Sequence, residues 1–256
     1  MFRYVWAAVL SVVLFGCSQP DRNEEVLFQT STINALLEGV YDGEITYGEL
    51  KQHGDFGIGT FDALDGEMIG LDGVFYQIKA DGIAYAVDDA MKTPFAAVTF
   101  FEADKEVRLA ESMDHRALED YLDTMLPTEN IFHAIKIEGV FSYVKTRSVP
   151  GQTKPYPPLV EVVKHQPTFE FHHVEGTVVG FRCPAYVKGV NVPGYHLHFI
   201  TKDKKGGGHV LDCRIQDVTI RIDYTSGFYL TLPEAGAFYE TDLTQEKESE
   251  LDQVEK

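Results

Sequence analysis

The sequence of 256 residues carries 22 basic and 40 acidic residues, so its formal net charge at neutral pH is −18. This charge argues against nucleic acids and anionic membrane surfaces as general partners, and an anionic ligand would need a local cation to hold it. Apolar residues make up 44% of the chain, which excludes global disorder and allows one large β-rich domain or two small ones.

The first seventeen residues have the pattern of a bacterial export signal. One arginine precedes an apolar run from Val5 to Phe15, which is too short to span a bilayer comfortably. The run ends in Leu-Phe-Gly-Cys, which resembles the lipobox in which bacterial lipoproteins are lipidated on the cysteine. The phenylalanine is bulky for that pattern, so ordinary secretion is the alternative. We expect a signal peptide with a lipobox at 1–17, a tether at 18–30, and an exported protein that is lipid-anchored through Cys17 or else secreted or periplasmic.

Short strands separated by glycine-containing turns are predicted for most of the first half. Residues 32–37 have the spacing of a short helix, and Thr46 to Glu49 form a capping box before a second short helix that ends near Gly54. A meander of mostly antiparallel strands is then predicted at 56–61, 67–71, 73–79, 82–87 and 94–101.

One longer helix interrupts the strands, with Ser112 or Asp114 as its cap and an apolar face that ends before Pro127. The apolar face consists of Leu118, Tyr121, Leu122 and Met125. Strands resume at 131–148, and the proline-rich segment 149–159 is predicted to be an extended connector. The boundary between an N-terminal β-rich domain at 31–148 and a C-terminal β-rich, metal-binding domain at 149–256 is placed there. The last seventeen residues are polar and helix-prone, and a solvated tail or a surface helix is the usual interpretation of such a run.

Three of the nine histidines lie close together in the second half. His196 and His198 alternate with apolar residues, which predicts a strand whose two imidazoles share one face. A glycine-rich run at 201–208 predicts a hairpin turn, and His209 begins the returning strand. A two-residue turn at 203–204 would place His198 opposite His209, whereas a turn at 202–203 would place His196 there.

In either register three imidazoles converge on a site for a transition metal that keeps positions open for water or substrate, as catalytic zinc does. Two alternating histidines are by themselves more often ordinary strand residues, and the third at hairpin distance favours the metal site.

Cys183 and Cys213 could pair in an oxidising compartment or remain buried thiols, and their spacing does not decide between these alternatives.

A metal ion held by three histidines would need acidic and cationic side chains nearby to catalyse a reaction. Glu67 follows an Asp-Gly turn on a predicted strand, and Arg147 ends a long strand just before the proline-rich connector. A glutamate or an arginine in such a position is more commonly a surface residue. His172 and His173 are adjacent and face opposite ways, and neither is favoured as a ligand. These patterns alone predict a metal-dependent β-protein.

Four segments resemble the α-acetolactate decarboxylase family, and the similarity runs from about Leu36 to the C-terminus. They are 53–73, 94–101, 145–159 and 193–212. The TRSVPGQ and HLHF…GGHVLD blocks within them are the specific ones. The family's enzymes convert 2-acetolactate to acetoin and carbon dioxide with a bound zinc ion and no organic cofactor.

The resemblance implies a role for each candidate site residue. The zinc ligands would be His196, His198 and His209, in agreement with the hairpin pattern. Glu67 matches an acidic residue close to the metal, Arg147 an active-site arginine, and Thr60 a threonine that lines the site. The family also brings a C-terminal glutamate back to the metal, for which Glu255 is the first candidate here and Glu250 the second.

By the same resemblance the fold is α+β and mostly β, with two β-rich domains and a few helices. One domain would hold a mixed or antiparallel sheet and the other a small barrel-like sheet, and a homodimer would form through the N-terminal sheet. Two other classes compete with a decarboxylase: a cupin-like three-histidine metal oxygenase or hydrolase, and a non-catalytic binding lipoprotein. The first does not predict the arginine of the TRSVP block, and the second leaves the three converging histidines unexplained.

Overall fold

The structure is a computed structural model that describes residues 25–255. The predicted signal peptide, the lipobox with Cys17 and the tether up to residue 24 lie outside the described residues. Within the described residues, no helix combines the length and the apolar character needed to cross a membrane.

Strands make up a larger part of the described chain than helices do. The fifteen strands of residues 25–255 are β1 (Val26–Thr30), β2 (Ile45–Thr46), β3 (Phe56–Thr60), β4 (Glu67–Leu71), β5 (Val74–Ile78), β6 (Ala84–Ala86), β7 (Lys92–Thr93), β8 (Ala96–Thr99), β9 (Lys105–Leu109), β10 (Met113–Asp114), β11 (Phe132–Arg147), β12 (Thr168–Cys183), β13 (Gly194–Thr201), β14 (Gly207–Thr225) and β15 (Gly227–Thr231). The α-helices of the same residues are α1 (Ile33–Leu37), α2 (Tyr47–Leu50), α3 (His115–Met125), α4 (Leu159–Val162), α5 (Ala237–Glu240) and α6 (Glu248–Glu255). Three 3-10 turns lie at Asp62–Leu64, Val163–His165 and Ala185–Val187.

The first large sheet has seven strands in the order β15-β1-β8-β3-β4-β5-β6. Its pairs are antiparallel except for β1 with β15, which run parallel. Residues 26–30 were expected in the tether, but they form β1 inside this sheet and all except Val26 are buried. That part of the tether prediction is wrong because the segment Val-Leu-Phe has the apolar, β-forming side chains of a core strand.

The second sheet closes on itself. Strand β11 pairs with β12 and β14, β12 pairs with β13, and β13 pairs with the start of β14. These four strands therefore form a ring, and β9 and β10 add to β14 outside it. The predicted mostly-β fold with a mixed sheet and a small barrel-like sheet is confirmed.

Alternate side chains of the ring strands pack in opposite directions. Ile135 belongs to an apolar cluster shared by α3 and the ring strands, whereas its neighbour Ala134 belongs to a cluster shared with the seven-stranded sheet. This follows from the period of two along a strand. Leu197 lies in the first cluster, so His196 and His198 on either side of it face the seven-stranded sheet.

The sheets exchange strands across the expected boundary at 148/149. Strands β9, β10 and β11 precede it and pair with β14, while β15 follows it and pairs with β1. The division into two domains at this point stays a prediction. Among residues 25–255, Cys183 and Cys213 are both buried and form no disulfide, so the alternative of two buried thiols holds there.

The helix caps follow the sequence pattern closely. Thr32 caps α1, and Thr46 with Glu49 forms the reciprocal capping box of α2. Asp114 rather than Ser112 caps α3, since its side chain accepts a hydrogen bond from the backbone N–H of Ala117.

The C-terminal tail packs one face against the rest of the protein between 248 and 255. It forms α6, whose Leu251 and Val254 are buried in a cluster with Ile33, Leu36 and other apolar residues. The two side chains are three positions apart and therefore lie on one helix face. That face fixes the helix against the body of the protein and determines where Glu255 lies.

Candidate metal centre

The three histidines converge on the hairpin of β13 and β14. His198 lies directly opposite His209, so the first of the two predicted registers is the one adopted. His196 lies two residues earlier on the same face, and the three ring centroids are 5.0 to 5.4 Å apart. One ligand nitrogen from each ring lies within 4.8 Å of the other two, and all three side chains are buried.

Hydrogen bonding selects which nitrogen of His198 faces the site. Nδ1 lies 2.8 Å from the backbone carbonyl oxygen of Met68, which can only accept, so Nδ1 carries the proton. The lone pair is therefore on Nε2, which is buried and has no hydrogen-bond partner within residues 25–255. This is the arrangement in which a metal-binding histidine is oriented by a second, outer hydrogen bond.

Burial keeps the three imidazoles neutral. It lowers the pKa of His196 to about 3, with the charge of Arg147 adding to the effect. Burial also lowers the pKa of His198 and of His209 well below the usual value. Neutral imidazoles keep a free lone pair, so the three rings are suited to bind a metal near neutral pH.

Glu67 and Thr60 reach the site from the seven-stranded sheet. They are directly opposed on β4 and β3, and the turn between them is held by a 2.7 Å hydrogen bond from Thr60 Oγ1 to the carbonyl oxygen of Gly66. Glu67 Oε2 lies 3.7 Å from Nε2 of His198. Burial raises the pKa of Glu67 to about 7, against the lowering effect of Arg147.

Arg147 lies at the end of β11, directly opposite His209. Its guanidinium is buried and contacts Glu67, with 3.4 Å between Nη1 and Oε1. Two further partners were not predicted from the sequence: Nη1 donates to the side-chain oxygen of Gln166 at 3.1 Å, and Nη2 donates to the backbone carbonyl of Val254 at 2.9 Å. No motif marks either residue, since both depend on how distant segments pack.

Glu255, at the end of α6, lies beside the histidines. Its Oε2 is 3.5 Å from Nε2 of His196 and 3.9 Å from Nε2 of His209, and has no hydrogen-bond partner among the described residues. Burial raises the pKa of Glu255 to about 7. Glu250, the second candidate, instead lies 2.9 Å from Lys247 Nζ and does not line the cavity.

His172 and His173 lie on β12 with exposed side chains. His172 Nε2 is 3.8 Å from Glu170, outside the cluster of three histidines. The structure therefore brings together Thr60, Glu67, Arg147, His196, His198, His209 and Glu255, and leaves Glu250, His172 and His173 outside the site.

The converging side chains line a small cavity of about 30 Å³. Its polar wall consists of Thr60, Glu67, Arg147, His196, His198, His209 and Glu255, and its apolar wall includes Ile33, Leu36, Leu64, Phe95, Val149 and Leu159. An open cleft of about 500 Å³ lies beside α6 and shares His209 and Glu255 with the cavity. Helix α6 therefore borders both spaces.

The donor set fits a transition-metal cation. Three neutral nitrogens converge with two carboxylates beside them, and buried Nε2 of His198 and Oε2 of Glu255 are left without partners. A buried polar atom without a partner is costly, and a cation between these atoms would satisfy both. Fold and site together define a β-protein with a buried cluster of three histidines that is suited to hold a metal ion and is flanked by an arginine.

Comparison with known proteins gives the family. The family model described as alpha-acetolactate decarboxylase matches residues 27–245. The chain belongs to the α-acetolactate decarboxylase family, as the sequence resemblance predicted.

Individual relatives agree over nearly the whole chain. A Methanosarcina mazei protein named alpha-acetolactate decarboxylase is 57% identical over 232 residues, which cover 91% of this chain and 81% of that protein. A protein of the same name from Methylococcus capsulatus is 51% identical, over 90% of this chain and 88% of its own. The crystal structure of alpha-acetolactate decarboxylase from Bacillus subtilis strain 168 superposes with a TM-score of 0.88 at 43% identity, covering 90% of this chain and 99% of that one.

Proposed function

We propose that this protein decarboxylates 2-acetolactate to acetoin and carbon dioxide, with a zinc ion held by His196, His198 and His209. The observation that carries the proposal is the buried triad with Arg147 on the strand beside it. Membership of the α-acetolactate decarboxylase family supports the same reaction. A zinc ion bound there would supply Lewis-acid stabilisation of negative charge on the substrate's ketone oxygen.

Arg147 is the residue suited to bind the substrate carboxylate. Its guanidinium is buried in the cavity wall, and a planar fork can hold a carboxylate through two hydrogen bonds. This local positive charge also offsets the repulsion of an anionic substrate by a protein of net charge −18. Burial of the site excludes water, which strengthens these electrostatic contacts.

A proton must reach carbon after carbon dioxide leaves. The electron pair of the broken bond is delocalised onto the neighbouring ketone oxygen, so no organic cofactor is required. Glu67 is the first choice as proton donor and Glu255 is the alternative. Burial raises the pKa of each carboxyl to about 7, the range in which a group can donate a proton near neutral pH.

The substrate needs more space than the cavity beside the three histidines provides. The cavity of about 30 Å³ is much smaller than the engineered cavity of roughly 150 Å³ that binds benzene, so a five-carbon hydroxy-keto acid needs more space than it offers. Helix α6 borders both this cavity and the open cleft beside it. Displacement of α6 would join the two spaces and admit the substrate.

The test is acetoin formation from 2-acetolactate by the purified protein, alongside oxygen consumption and ester hydrolysis. The proposal predicts stoichiometric acetoin and carbon dioxide without oxygen uptake. Oxygen-dependent or hydrolytic turnover without acetoin would instead favour the oxygenase or hydrolase class, and metal binding without any turnover would favour a binding protein.

Two further properties complete the proposal. The first is a homodimer that forms through the seven-stranded sheet, and exposed Val74, Ile83 and Tyr85 near its β6 edge support it. A monomer in sedimentation equilibrium at micromolar concentration would contradict it. The second is export with a lipid anchor on Cys17, which rests on the sequence pattern of the leader.

A further inference from the structure

The guanidinium of Arg147 contacts one neutral side chain and two carboxylates. Glu67 Oε1 lies 3.4 Å from Nη1, and Glu255 Oε1 lies 3.9 Å from Nη2. Gln166 Oε1 accepts from Nη1 at 3.1 Å, which is shorter than either carboxylate contact. The amide therefore provides the closest side-chain contact among these three.

Backbone hydrogen bonds fix the position of Gln166. It follows the 3-10 turn Val163–His165, and its own N–H donates to the carbonyl of Val163 at 3.3 Å. The next residue, Pro167, accepts a hydrogen bond from the backbone N–H of Ser148 at 3.3 Å. Because Ser148 follows Arg147 directly, the backbone of the turn is tied to the backbone of the arginine, and the half-buried amide has a defined direction.

An amide oxygen and a carboxylate affect an arginine differently. Both accept its hydrogen bonds and so orient the planar guanidinium, but only the carboxylate cancels its charge. Arg147 already has two carboxylates within 4 Å. A third would leave little positive charge for an anionic ligand, whereas an amide orients the group and leaves the charge in place.

We infer that Gln166 is a positioning residue, which holds the plane of the Arg147 guanidinium while preserving its charge for the substrate carboxylate. This inference rests on the proposed function and deepens it. If Gln166 only packed the turn after α4, its replacement would weaken all ligands alike or none of them.

The test compares Gln166→Glu and Gln166→Leu in the full-length, metal-loaded enzyme. His165→Gln is the matched control, because His165 lies on the same turn with its side chain exposed. Measurements are kcat and KM for 2-acetolactate, the inhibition constant of the anionic analogue 2-hydroxy-2-methylpropanoate, and that of the neutral product acetoin. Thermal unfolding is recorded for each variant.

Gln166→Glu is nearly isosteric and adds one negative charge. KM and the inhibition constant of the anion are expected to rise about 10-fold or more, while that of acetoin changes less than about 2-fold, since a charged hydrogen bond is lost only for the anion. Gln166→Leu removes the acceptor, so kcat is expected to fall about 10-fold with a smaller rise in KM because the fork is no longer oriented. His165→Gln is expected to match the wild type.

Equal increases in the inhibition constants of the anionic analogue and of acetoin in Gln166→Glu would overturn the inference. Wild-type kinetics in both variants would also overturn it. If Gln166→Glu does not fold, an unchanged kcat in Gln166→Leu is sufficient to overturn it. A wild-type enzyme that forms no acetoin would overturn the proposed function itself. If the wild-type enzyme forms acetoin and the Gln166 variants have wild-type kinetics, only the positioning role of Gln166 is contradicted, and the proposed function stands.

Discussion

Replacement of Glu255 by Gln should change how the stability of the metal-free protein depends on pH. Burial raises the pKa of this carboxyl from 4.5 to about 7 in the folded protein. Between those values the folded state binds a proton that the unfolded state has released. The free energy of unfolding that Glu255 contributes is therefore greatest below pH 4.5 and is lost as the pH rises through 7.

The size of this effect follows from the same shift. A rise from 4.5 to about 7 corresponds to a loss on the order of 3 kcal/mol when the pH is well above 7. Glutamine has the same shape but does not ionise, so Glu255→Gln should avoid this loss. The histidines titrate in both proteins, and their contributions largely cancel in the difference.

The assay is urea unfolding of both proteins at pH 5 and pH 8.5 after removal of metal with a chelator. The stability of Glu255→Gln relative to wild type should increase between the two pH values by up to about 3 kcal/mol. Glu250→Gln is the matched control, because Glu250 lies on the same helix beside Lys247 and outside the cavity. A wild-type and a Glu255→Gln protein with the same pH dependence would refute the buried position of this carboxyl.

Three other changes test separate parts of the account. Arg147→Lys should keep the bound metal but lower kcat/KM at least about 10-fold, because a point charge does not reproduce the planar fork; unchanged kinetics in a steady-state assay would remove Arg147 from the mechanism. His198→Ala should lose stoichiometric metal, measured by atomic emission, and activity together, and retention of both would contradict the ligand assignment. Cys17→Ser should move the protein from the membrane fraction to the soluble fraction of fractionated cells, whereas an unchanged distribution would favour an ordinary signal peptide.

Local pattern was sufficient for much of the fold. Alternation predicted the strands, and the Asp-Gly and capping-box signals predicted their turns and the start of α2. The pattern left two registers of β13 and β14 open, with either His196 or His198 opposite His209, and the structure settles the choice through the pairing of His198 with His209. Turn geometry alone could not choose, because the polar, glycine-rich run permits either position.

Long-range packing accounts for what the sequence did not predict. Gln166 and the carbonyl of Val254 reach Arg147 from segments 19 and 107 residues away, and neither has a local signature. The last residues looked like a solvated run because their composition is polar. Only the cluster around Leu251 and Val254 explains why α6 folds back, and the family resemblance rather than any local pattern indicated Glu255.

Zinc reconstitution is the measurement that tests the central claim most directly. Metal is removed from the purified protein with a chelator, zinc is added back in known amounts, and acetoin formation from 2-acetolactate is followed at each step. The account predicts no activity without metal and a linear return of activity that ends at one zinc ion per chain, with His196→Ala unable to respond. Full acetoin formation by the metal-free protein, or by His196→Ala without bound metal, would contradict it.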